Sequence, residues 1–157
     1  MWRLLLALAF SAAVQAQDQI TKPEYLHFGA SLVEVQSALT SKCTALNTRS
    51  ISPITAPLAR ESQVQIDCEG FRYGGAERKM ELVFQDDQLD IIWILLAEEE
   101  LPLFKQRFTE AYGEPSFEIN FGTVFLQANA AVRIQPPEVL FASARQVEAM
   151  LQQLASD

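Results

Sequence analysis

The sequence predicts a single α+β domain, an antiparallel sheet packed by about three helices, preceded by an export signal. Three observations carry the fold class. Alternating apolar positions separated by tight-turn residues mark hairpins over 63–96. Helical spacing bounded by caps marks helices near 31, 98 and 143. One apolar run in the middle, Leu89 to Leu96, is hydrophobic on both faces, as a strand covered on two sides must be. A chain of 157 residues fits one domain with an apolar core.

Residues 1–16 read as a cleavable signal peptide. Arg3 supplies a positive start, Leu4 to Phe10 a short apolar stretch, and Val14-Gln15-Ala16 the small side chains of a cleavage site. A membrane span needs about 20 apolar residues. This run is interrupted by Ser11 and closed by Gln15, Gln17 and Asp18, so the expected mature chain, 17–157, carries no membrane anchor and works in the periplasm or outside the cell. No Cys follows the cleavage site to take a lipid.

Within the domain, Ser31-Leu32-Val33-Glu34 is a capping box, and Leu32, Val35, Ala38 and Leu39 follow on one helical face. Cys43 stands just past that helix. It and Cys68 are the only two cysteines, and in an oxidising compartment an even pair is most simply a disulfide, closing a loop worth about 3 kcal/mol in the chain-entropy model. The stretch 44–62 is polar, with Pro53 and Pro57 spaced through it, and reads as a long surface loop.

Gln63 to Cys68, Arg78 to Gln85 and Leu89 to Leu96 read as a three-stranded antiparallel meander, with Gly74-Gly75 offering the positive φ of a tight turn and Asp86-Asp87-Gln88 forming the next. Glu98, Glu99 and Glu100 place negative charge at the start of a helix whose stripe is Leu101, Phe104, Phe108, Ala111 and Tyr112. Gly113 and Pro115 end it. A second β section follows at Phe117 to Phe121, Thr123 to Gln127 and Ala130 to Ile134, closed by Pro136-Pro137, with Val139 to Phe141 as a short edge strand. Ser143-Ala144-Arg145-Gln146, a second capping box, then opens a last helix whose Val147, Met150, Leu151 and Leu154 face inward.

Phe28-Gly29-Ala30-Ser31 before a short helix, Cys43 and Cys68, Glu81-Leu82-Val83-Phe84 turning into Leu89-Asp90, and a helix closing in Tyr112-Gly113-Glu114-Pro115 form a recurring pattern. In it the chain resembles small, mostly uncharacterised exported proteins of Gram-negative bacteria. Their layout is similar to the helix-plus-sheet units of the β-lactamase inhibitor protein and of small outer-membrane assembly lipoproteins. The resemblance covers 26–115 and implies a fold; no functional residue of either group maps onto it.

Chemistry is sparse. A formal charge of −8 repels nucleic acid and anionic lipid. His27 is the only histidine, and no nucleophile elbow accompanies it; the chain offers little for zinc, and no cofactor is expected. Asp86, Asp87 and Asp90 lie close together without the spacing of a calcium loop. Phe71, Arg72 and Tyr73 before the Gly-Gly turn are types that anchor interfaces when exposed, although alternation also permits a core role. Phe121, Phe125 and Phe141 read as core, unless a sheet face there is left uncovered. The leading expectation is an extracytoplasmic protein-binding or inhibitor-like module, with another envelope or secreted protein as partner. A hydrolase using acidic residues and a structural accessory of an envelope complex are the alternatives.

Overall fold

A computed structural model describes residues 20–156; the leader assigned to residues 1–16 lies outside the described residues. The chain runs α1 (Leu32–Leu39), β1 (Ala45–Ser50), β2 (Gln63–Tyr73), β3 (Ala76–Gln85), β4 (Gln88–Leu95), α2 (Leu101–Tyr112), β5 (Phe117–Ile119), β6 (Gly122–Phe125), β7 (Ala130–Ile134), β8 (Pro137–Ala142) and α3 (Ala144–Leu154). All eight strands form one antiparallel sheet in the order β1-β2-β3-β4-β8-β7-β6-β5. The expected three-stranded meander with a separate second section is therefore corrected: the two sections are one continuous sheet.

The join is β8. Val139 to Phe141 reads as a short edge strand because Pro136-Pro137 looks like a terminator. Pro137 instead opens the strand, where no ladder donor is demanded of it, and its carbonyl accepts from the Leu96 N–H at 2.9 Å. From there β8 pairs with β7 on one side and with β4 on the other, Ile92 opposite Phe141 and Trp93 opposite Leu140. The second correction concerns 44–62. Its first third is β1, a strand on the sheet edge with every residue exposed, so it carries none of the apolar alternation that marks a strand in sequence.

The layout is a helix followed by a four-stranded meander, twice over: α1 with β1–β4, then α2 with β5–β8, the two meanders meeting at the β4/β8 pair. Both helices pack on the same face. Val35 and Leu39 of α1 and Phe104 and Phe108 of α2 meet Ile66, Met80, Leu82, Ile92, Val132, Val139 and Phe141 in the main core. Phe108 lies 5.9 Å from Phe141 and 5.7 Å from Phe125, ring centroid to ring centroid.

Local signals work as sequence reasoning expects. Ser31 Oγ accepts from the Glu34 N–H, and Glu34 returns a carboxylate to the Ser31 N–H at 2.8 Å. Three glutamates make a 3₁₀ turn, Glu98–Glu100, that leads into α2. At the β2–β3 turn Gly74 has φ +57° and a Cβ there would stand 2.5 Å from the Phe104 ring, so glycine is required both by backbone conformation and by space. Cys43 and Cys68 are joined, tying the end of α1 to β2. Among the described residues no helix is long and apolar enough to cross a membrane.

Candidate functional site

The face of the sheet opposite α1 and α2 has a different character along its width. Register fixes one row across it as Phe117, Val124, Ala131, Leu140, Trp93, Glu81, Asp67 and Asn47, from β5 to β1. The β1–β3 half is charged: Arg49 Nε donates to Asp67 at 3.1 Å, and Lys79 pairs with Glu81 at 2.7 Å. The other half is apolar, and α3 lies over part of it.

Why α3 sits there is explicit in its first turn. Ser143 caps the helix, its Oγ accepting from the Gln146 N–H at 3.2 Å while donating to Asp90 Oδ1 at 2.6 Å. Arg145 Nε donates to the same oxygen at 2.8 Å, and Gln85 Nε2 donates to Asp90 Oδ2 at 3.1 Å and to Gln146 Oε1 at 2.7 Å. Asp90, Gln85 and Gln146 are almost completely buried, and this network fixes the start of the helix on β3 and β4. Gln146 thus serves the clasp, where a capping box would have returned it to its own helix terminus.

Beyond that clasp the helix does not close onto the sheet. Val147 and Met150 are half-buried, while Leu151 and Leu154 are 39% and 51% exposed, so the inward stripe read from the sequence is only partly covered. Beneath it the floor carries small residues, Ala131 and Ala142, at positions where larger side chains would fill the layer. The result is a groove of about 400 Å³ between α3 and β5–β8, within the ~300–1,000 Å³ span of small-ligand sites. Phe117, Ile119 and Phe121 form its far wall, Trp93 and Leu140 part of its floor. Phe121, read as core, is 46% exposed and lines this wall, whereas Phe125 and Phe141 are buried in the main core.

Among the described residues one ionisable side chain lines the groove, Arg133 of β7. Its guanidinium lies 4.7 Å from the centroid of Trp93, a cation–π contact, and Nη1 donates to Glu138 Oε1 at 2.6 Å. Nη2 donates to the Gln135 carbonyl at 3.3 Å. The Glu138 side chain is 6% exposed. Burial pushes its carboxyl up to about 7, the nearby Glu81 pushing the same way and Arg133 pulling back.

The residues singled out in the sequence fall elsewhere. Phe71 and Tyr73 are 5% and 2% exposed and belong to the main core, Tyr73 stacking on Phe104 at 5.9 Å between centroids; Arg72 between them is exposed. The hairpin does not present the two rings, because period-two alternation puts both on the helix-covered face. His27 is exposed in the N-terminal segment.

The acidic triplet is divided among three structural tasks. Asp86 accepts from the backbone N–H groups of Arg60, Glu61 and Ser62 at 2.8 to 3.1 Å, and Asp87 accepts from Leu32 N–H at the start of α1 at 2.9 Å. Asp90 holds α3. Glu100 forms a bidentate pair with Arg78 at 2.7 and 2.8 Å, and that guanidinium holds its carboxyl down at about 2. Among the described residues no group of His, Cys, Asp and Glu is arranged to hold a metal.

No protein-family model, curated protein or solved structure matches this chain.

Proposed function

We propose that this protein is a binding module of the extracytoplasmic space that holds the apolar part of a ligand in the groove under α3. One observation carries the reading: a helix clasped to the sheet only at its first turn, over a floor of alanines, beside exposed Phe121, Leu151 and Leu154. Exposed apolar surface of this kind is costly in water unless it is used. The disulfide fits an oxidising compartment, and an export signal at 1–16 fits with it. The test is to isolate the protein from its native compartment without detergent, extract it with organic solvent and identify what it carries by mass spectrometry. Enrichment of an apolar compound that is absent from Ala131→Phe protein supports the reading; identical extracts from both proteins sink it.

A second reading, a protein partner as in inhibitor-like modules or envelope accessories, is favoured by β1. That strand has β2 on one side and, among the described residues, no strand on the other, and extended peptides add to such edges through backbone hydrogen bonds. The resemblance in layout to inhibitor units supports it as well. Crosslinking in the native compartment that captures one stoichiometric protein, lost when Thr48 is replaced by Pro, would move the working surface from the groove to β1.

A further inference from the structure

The groove's lining is lopsided in a way that specifies its occupant. Trp93, Ile119, Val124, Leu140, Val147 and Met150 offer hydrocarbon, and the single ionisable group among the described lining residues, in a chain whose formal charge is −8, is the cation Arg133. A partner that is apolar along most of its length and negative at one end satisfies both parts. A neutral hydrocarbon would lay apolar atoms against a guanidinium whose charged partner is Glu138 and gain nothing from it, and a cationic amphiphile would be repelled.

Resting on the groove reading above, we infer that the ligand is a monomeric single-chain anionic amphiphile of the fatty-carboxylate class, its chain lying between α3 and the β5–β8 floor and its head group on Arg133.

Arg133 is prepared for that role. The contact with Trp93 holds the guanidinium over the ring, and a guanidinium held in place suits a planar carboxylate. Nη1 donates to Glu138 and Nη2 makes only a long contact, 3.3 Å, to the Gln135 carbonyl, so Nη2 can turn to a head group; burial, which raises the Glu138 carboxyl, weakens the competing pair. Of the other charges near Glu138, Glu81 is itself paired to Lys79. A monomer in water fits better than a lipid in a bilayer, because the whole chain is acidic and is repelled by an anionic membrane surface.

The experiment is titration calorimetry with decanoate, 1-decanol and decyltrimethylammonium, each below its aggregation limit, on wild-type, Arg133→Gln, Arg133→Lys and Ala131→Phe proteins. The inference expects decanoate to bind tightest, with Arg133→Gln weakening it about ten-fold, the lower range of a charge-assisted hydrogen bond. Arg133→Gln should weaken decanol far less than decanoate, Arg133→Lys should restore part of the decanoate affinity, and Ala131→Phe should weaken both ligands. Equal binding of decanoate and decanol, indifferent to Arg133→Gln, overturns the anionic assignment and leaves the groove reading standing. Binding of none of the three overturns both. Binding only to vesicles of anionic phospholipid, with no uptake of monomeric decanoate, also overturns the inference, since the face would then be a membrane-docking surface.

Discussion

Asp90 of β4 and Arg145 of α3 are joined across the one place where the C-terminal helix is fastened to the sheet, the Arg145 Nε donating to Asp90 Oδ1 at 2.8 Å beside the Ser143 hydroxyl at 2.6 Å. Everything further along α3 rests on apolar contact alone, so this clasp sets the height of the groove. Asp90→Asn leaves Ser143 and the half-exposed Arg145 facing a buried amide and should cost about 1–3 kcal/mol in urea unfolding. Hydrogen exchange should rise first in 144–154, while β2–β4 stays protected until global unfolding. A uniform loss of protection across the sheet would show that the network supports the core and has no special hold on α3.

The Cys43–Cys68 bond closes a loop of 25 residues. The double Cys→Ser variant should lose about 3 kcal/mol. Because β1 lies inside that loop and has a single strand neighbour, its amides should exchange faster in the variant than those of β3. Unchanged unfolding midpoints on reduction would refute this.

Glu138 and Glu100 pull stability in opposite directions with pH. Glu138 has its folded value raised to about 7, so the folded state holds that proton more tightly than the unfolded chain. Its contribution is complete below the ordinary carboxyl value of 4.5 and is lost as pH climbs through about 7. Glu100, lowered to about 2, stabilises above 4.5 and loses that contribution as pH falls toward about 2. Denaturant midpoints should therefore decline between pH 5 and pH 8 in the wild type by an amount that Glu138→Gln removes. Glu100→Gln should instead flatten the acid limb.

Phe71 and Arg72 offer a direct contrast. Phe71→Ala opens a cavity in the main core and should cost about 3–5 kcal/mol, while Arg72→Ala, on an exposed side chain, should cost about 1 kcal/mol or less. Thermal unfolding of the two variants checks it. Equal and small effects would return Phe71 to the surface.

How much of this was legible in the residues depended on whether the signal was local. The capping box at Ser31, the Gly74-Gly75 turn, the Gly113 stop and the glutamates before Leu101 are short-range devices, and each sits where it reads. β1 was invisible because an edge strand exposed on every residue has no apolar face to alternate. The central place of β8 was hidden by Pro136-Pro137, since a proline that opens a strand and one that ends a chain segment look alike in one dimension. The groove is a relation between α3 and strand residues spread from Trp93 to Ala142, and no short window of sequence contains it. Its traces are Phe121, which marks an apolar surface if the sheet face there is uncovered, and Leu151 and Leu154, which continue an apolar stripe past the clasp, with alanines at 131 and 142 where a filled layer would carry larger residues.

The central claim is that the groove under α3 is the working site, and amide chemical-shift mapping with decanoate tests it most directly. The account predicts perturbations concentrated at Trp93, Ala131, Arg133, Leu140, Val147 and Met150, saturating together and abolished in Ala131→Phe protein. Shifts confined to β1 and the 51–62 loop, or none at concentrations where the ligand is monomeric, would contradict it.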